Sequence, residues 1–207
     1  MTEYLVPASS GESEYTEKRS SFLGHIKPVK NEDEARDFIA QTKKTYHDAR
    51  HNCWCYIIHD SAERYSDDGE PQGTAGIPML EVFRKEGVSD FVCVVTRYFG
   101  GVLLGAGGLL RAYTKAAKSA LDNAGIAEVR IWQTADLTCP YSMAERMKTE
   151  VLSYNGAVED TVYQADVTLK VLIPQERFEE FSARIFDISS GTLLPVKGEE
   201  KFFAVKK

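Results

Sequence analysis

"FVCVVTRYFGGVLLGAGGLLRAYTKAAK", residues 91–118, runs from an unbroken apolar segment through a glycine-rich stretch into a helical repeat. The apolar segment, ending near Arg97 and Tyr98, reads as a buried strand, and the repeat from about Gly107 to Asn123 reads as a helix. Between them lie five glycines: Gly100, Gly101, Gly105, Gly107 and Gly108. Strand, glycine turn and helix start, in that order, make the local plan of a phosphate grip. The first amides of a helix point outward without partners, and the helix dipole favours an anion there.

Both nucleotide versions of that grip fail. A P-loop needs a lysine and a hydroxyl after its second glycine, to reach the outer phosphate oxygens and hold magnesium. Gly100 and Gly105 have the right separation, but Ala106 and Gly107 follow. A dinucleotide fingerprint begun at Gly105 and Gly107 needs glycine at 110, where Leu110 stands. A weaker reading survives, an exposed helix start that favours anions. On the helix, Arg111, Lys115, Lys118 and Asp122 recur on one face, opposite an apolar stripe of Leu109, Leu110, Tyr113, Ala117, Ala120 and Leu121. Taken singly, the glycines serve tight turns and close packing, and the cations form the wet side of an amphipathic helix. Their coincidence favours an anion-binding segment.

Upstream, "NEDEARDFIAQTKKTYHD" reads as a helix capped by Asn31, with acids in its first turn and Lys43 and Lys44 at its end. "HNCWCYIIHD" reads as a strand buried on both faces, and "IPMLEVFRKEG" as a helix stopped by Gly87. Asp67, Asp68 and Glu70 are candidate oxygen ligands for a divalent cation, but their order misses the EF-hand loop. A tight turn at Asp68-Gly69 with its acids in water is the expectation. His51, Cys53 and Cys55 share one strand face, in a spacing that matches no common zinc site. No metal and no cofactor is expected. No G-x-S-x-G elbow and no local Cys-His pair marks acyl-transfer chemistry.

Downstream, "GIAEVRIWQTADLTC" reads as a long strand crossing into a second half. Strand, helix, strand, strand, helix, strand follow from there, the βαββαβ order of a ferredoxin-like domain. The boundary is set after residue 134, giving domains 1–134 and 135–207. The chain of 207 residues carries a formal charge of −6, and 16 basic against 19 acidic side chains before the cut, with 9 against 12 after it, leave each part near −3. Binding of nucleic acid through bulk positive charge is excluded; a local basic face is not. The start lacks a signal peptide and no apolar run is long enough to span a bilayer, so a cytoplasmic protein with no membrane contact is expected. Four cysteines without a disulfide framework read as reduced core thiols.

"HNCWCY", "DDGEPQGTAGIPML" and "VVTRYFGGVLLGAGGLLRAY", in that order within residues 15–130, resemble the IMPACT family, whose bacterial branch is the YigZ type. The resemblance implies an α+β protein of two folds. Its N-terminal α/β domain is similar to the second domain of a small-subunit ribosomal protein and to domain IV of elongation factor G. Its C-terminal domain is ferredoxin-like, similar to domain V of that factor. Eukaryotic members restrain a kinase of translation initiation, partly through an additional N-terminal domain; here the chain begins almost directly at the shared domain. What the resemblance implies is therefore a non-enzymatic protein binding RNA or the ribosome, with a translation-related protein as a further partner. The matching residues are Arg97, Tyr98, Gly100, Gly101, Gly105, Gly107, Gly108 and Arg111, joined by Lys115 and Lys118 through the helix-face argument. The alternatives are a metal-assisted phosphoryl-transfer enzyme, which requires Asp67, Asp68 or Glu70 to converge on the glycine loop, a small-anion or nucleotide binder, and a protein adaptor.

Overall fold

The computed structural model describes residues 3–206, with the side chains of 203, 205 and 206 outside that description. The chain is mixed α+β and divides into two units, Tyr4–Val129 and Arg130–Phe203 in their main spans.

In the first unit the strands are β1 (Tyr4–Pro7), β2 (Gly11–Glu17), β3 (Ser20–Pro28), β4 (His51–Ile58), β5 (Ala62–Ser66) and β6 (Phe91–Tyr98). The helices are α1 (Glu32–Thr45), α2 (Gly76–Glu86) and α3 (Ala106–Ala124), and β7 (Ile126–Cys139) begins here. β1 pairs with residues 126–129 of β7. The other five strands form one sheet in the order β2-β3-β6-β4-β5. Every pairing in it is antiparallel.

The period of two along β4 and β6 sorts their side chains between two cores. Cys53, Cys55, Ile57, Phe91, Cys93 and Val95 face α2 and α3, meeting Met79, Phe83 and Tyr113. Tyr56, Ile58, Val92 and Val94 face α1, meeting Ala35 and Ile39. Burial on both faces thus holds for β4 and β6, but within an antiparallel sheet rather than the parallel one that an α/β domain implies. Each large apolar side chain so buried contributes about 1.5–3 kcal/mol.

Local signals start and stop the helices. Asn31 Oδ1 accepts the amide of Glu34 at 2.9 Å while Glu34 Oε2 accepts that of Lys30, satisfying two amides at the start of α1. Gly87 ends α2 in the left-handed conformation, with φ of 66°. The buried stripe of α3 includes Leu109, Ala112, Tyr113, Ala116, Ala117, Ala120 and Leu121. Leu110, expected within it, is 42% exposed, because it sits one residue off the face that the alanines define. Those alanines bring α3 very close to β2 and β3: a Cβ on Gly24 would stand 2.8 Å from the carbonyl oxygen of Ala116.

The second unit runs from the rest of β7 through α4 (Ala144–Ser153), β8 (Ala157–Tyr163), β9 (Val167–Pro174), α5 (Phe178–Ile188) and β10 (Val196–Lys206). β9 lies between β7 and β8, antiparallel to both, and β10 pairs with β7. Its core joins Leu137, Leu169 and Ile173 of the strands to Met147 and Val151 of α4 and to Phe181 and Ile185 of α5. All four cysteines are buried and free. Among the described residues no helix is long and apolar enough to cross a membrane.

Candidate phosphate-binding site

The register of the first sheet sets Ser21 opposite Tyr98 and both Phe22 and His51 opposite Arg97. The β2–β3 turn, the start of β4 and the end of β6 therefore meet at one end of the sheet, where the glycine loop leads into α3. Lys18 and Arg19 form that turn with φ of 45° and 67°. Gly100 lies against it: a Cβ there would stand 2.0 Å from the carbonyl carbon of Arg19, and its amide donates to Ser20 Oγ at 3.1 Å. Gly101 and Gly105 have φ of 82° and 72°, values that L side chains rarely adopt. Gly108 packs on Leu104, while Gly107 faces open space apart from Arg111. No side chain caps the start of α3.

Arg97 is not a free surface cation. Its Nη1 donates to Glu70 Oε1 at 2.6 Å, and the Tyr113 hydroxyl donates to the same oxygen at 2.8 Å. The guanidinium lies 5.6 Å from the ring centroid of Phe22 and 5.5 Å from that of Phe99. Its Nε is buried without an acceptor. Burial above all, with Cys53 and Glu70 adding to it, pushes the Tyr113 hydroxyl far above its usual pKa, so it stays a donor. Tyr98 is half-buried and donates to Asp48 Oδ1 at 2.8 Å.

The acids of the 67–70 turn are not in open water. Asp67 accepts the amides of Gly73, Ala75 and Gly76 at 2.8–3.0 Å, capping α2 from outside that helix. Asp68 accepts the amide of Asn52 at 2.7 Å and pairs with Lys43 at 2.5 Å, and Glu70 is buried beneath Arg97. The expectation missed this because a polar turn looks solvated until the backbone amides it must satisfy are known. Of the three, Glu70 alone lines a cleft with Gly105, and one of its oxygens already serves Arg97 and Tyr113. Among the described residues no group of three or more His, Cys, Asp or Glu is arranged to hold a metal ion.

Two clefts flank the start of α3. One, of about 190 Å³, is lined by Tyr15, Lys18, Gly108, Arg111 and Lys115 among others. Arg111 and Lys115 are exposed there, and Lys115 Nζ stands 4.3 Å from the centroid of the Tyr15 ring. Lys118, on the same helix face, is engaged by Asp122 at 2.6 Å and Glu86 at 3.1 Å. The other cleft, of about 430 Å³, is lined by Arg50, His51, Glu70, Arg97, Phe99 and the first residues of α3 among others. Sequence reading named neither Lys18 and Tyr15 nor Arg50 and Phe99. The basic pair Lys18-Arg19 between two strand-like runs was a usable signal; its nearness to the glycine loop depends on pairing β3 with β6.

Residues 18–121 match a family model described as the Impact N-terminal domain, and residues 137–192 match one described as a domain of unknown function, DUF1949. The chain is 35% identical over 190 residues to "IMPACT family member YvyE" of Bacillus subtilis, covering 91% of this chain and 88% of that protein. It is 33% identical over 204 residues to "IMPACT family member YigZ" of Escherichia coli, covering 97% and 100%. A crystal structure described only as that of a hypothetical protein is 32% identical, with a TM-score of 0.61 over 97% of this chain and 100% of that one. The glycine loop, the 67–70 turn and the strands between them all fall inside the matched N-terminal domain, and likeness on this scale means that the chain belongs to the IMPACT family.

Proposed function

We propose that this protein is a non-enzymatic RNA-binding protein acting in translation control or the stress response, with ribosomal RNA among its targets. The observation that carries the reading is the cleft in which Lys18, Arg111 and Lys115 gather beside the Tyr15 ring and the uncapped start of α3. Lysine, arginine and helix N-termini are the usual partners of backbone phosphates, and the Tyr15 ring, with Lys115 over its face and its hydroxyl on Glu17 of the same cleft, fixes where that lysine stands. Arg97 supports the site from within the fold rather than touching RNA on this side.

The βαββαβ order of the second unit, with β9 between β7 and β8, supports the ferredoxin-like reading and its likeness to domain V of elongation factor G. The likeness of the first unit to domain IV of that factor and to a ribosomal-protein domain belongs to the same proposal. Fold analogy is a weaker warrant than the cleft.

With so few free cations on a chain of formal charge −6, affinity is modest and falls steeply with salt. Titration of labelled RNA and co-sedimentation with ribosomes, at low and moderate salt, test the reading. Binding that is lost in the Arg111→Ala, Lys115→Ala double variant supports it. Absence of binding by the wild-type protein, or binding untouched in that variant, overturns it.

A further inference from the structure

The larger cleft, on the other side of the α3 start, lies outside the reading above. At about 430 Å³ it falls in the range of small-ligand sites. Three independent features converge in it. The uncapped start of α3 opens into it at Gly105 and Ala106. Arg97 lines it with a side chain only 7% exposed, whose Nε nevertheless has no acceptor. Phe99 leaves 40% of its surface exposed, with the Arg50 guanidinium 5.9 Å from its ring centroid.

The charges fit an anion. Arg50 and Arg97 stand against the single carboxylate of Glu70, and the helix dipole adds partial positive charge. The Arg50 guanidinium, the helix amides and what Glu70 leaves of the Arg97 guanidinium offer more directed donors than a carboxylate's two oxygens can use, and a phosphate monoester supplies the third. Beside these donors, Phe99 and the 82% exposed Leu103 make an apolar rim suited to a planar ring.

We infer that this cleft binds a single nucleoside monophosphate unit, its phosphate held by the start of α3 with Arg50 and Arg97, and its base against Phe99 and Leu103. This goes beyond the RNA-binding reading, since the same unit is available free in solution as well as at the phosphorylated end of a strand.

Calorimetric titration of the full chain with AMP, UMP, adenosine and inorganic phosphate tests the inference. The same titration with a short RNA carrying a 5′-phosphate or a 5′-hydroxyl distinguishes the sources. The expected result is that a nucleotide binds at least about tenfold more tightly than adenosine or phosphate alone. Arg50→Ala and Phe99→Ala each weaken it several-fold, with a native fold retained by circular dichroism, while Lys115→Ala does not. A gain from the 5′-phosphate identifies a strand end as the source; nucleotide binding without that gain identifies the free nucleotide, and either upholds the inference. No binding of AMP or UMP at millimolar concentration, or binding indifferent to both Arg50→Ala and Phe99→Ala, overturns it. RNA binding that still depends on Arg111 and Lys115 in that case leaves the other cleft's reading standing.

Discussion

Arg97 on β6 and Glu70 on the turn before α2 form a buried ion pair, Nη1 to Oε1 at 2.6 Å, with side chains only 7% and 3% exposed. Tyr113 of α3 donates to the same carboxylate oxygen, so strand, turn and helix are fastened together directly beneath the glycine loop. Removing one partner leaves a buried charge unmatched. Arg97→Ala and Glu70→Ala are each expected to destabilise the fold by about 3–5 kcal/mol. The double replacement Arg97→Met with Glu70→Leu recovers part of that loss, because an apolar pair avoids the desolvation cost, while the Tyr113 hydroxyl left without its acceptor keeps the recovery incomplete. Urea denaturation of the four proteins decides it; single variants as stable as wild type would contradict the pairing.

The three lysine and arginine residues on the outer face of α3 are not equivalent. Lys118 is held by Asp122 and Glu86, and the hydrogen bond to Asp122 is the main cause that raises its pKa. Arg111 and Lys115 face the cleft with Tyr15. Arg111→Ala and Lys115→Ala are therefore expected to weaken RNA binding across sequences and to lower the salt slope by about 1 each. Lys118→Ala leaves both quantities unchanged, and a Lys118 effect equal to that of Lys115 would count against the cleft.

Periodicity made the elements legible: α1 starts at its Asn31 cap, α2 stops at Gly87, and β4 and β6 are the apolar runs they resemble. The sheet order was not legible, since the pairing of β3 with β6 and of β6 with β4 joins segments far apart in the chain. Arg97, named as a candidate phosphate contact at the strand end, is buried on Glu70. Its odd position matches Phe91, Cys93 and Val95, which all face the core, so its inward direction was available in the sequence. What the sequence hid is its partner, Glu70, 27 residues upstream in a turn that looks solvated. Arg50 and Phe99 escaped notice for the same reason: the β4–β6 register brings them to one cleft.

The glycines of the loop divide by mechanism. A Cβ at Gly100 collides with the backbone of Arg19 at 2.0 Å, and backbone cannot swing aside as a flexible side chain does. Gly101 meets nothing, and its difficulty is its φ of 82° alone. Gly101→Ala is expected to cost about 1–2 kcal/mol through the left-handed conformation. Gly100→Ala costs more than that, by forcing the 18–19 turn away from the loop. Thermal melts of the two variants order them, and Gly101→Ala proving the more damaging would refute the close approach.

His25 on β3 gives the fold a pH dependence of definite sign. Its ring is stacked on Tyr46 with centroids 5.0 Å apart, its Nε2 is buried without a partner, and Glu12 reaches Nδ1 at only 3.7 Å. Burial lowers its pKa below the ordinary 6.5, and the opposing pull of Glu12 does not make up the difference. In the window between that lowered value and 6.5 the unfolded chain binds a proton that the folded chain refuses, so stability falls as pH falls through it. Below the folded pKa both states are protonated and the loss stops growing. Urea midpoints measured from pH 7.5 down to 5.5 are expected to drop further for wild type than for His25→Gln, which has no proton to take up. Equal slopes for the two proteins would mean that the ring is solvated and that Glu12 holds it as firmly as water does.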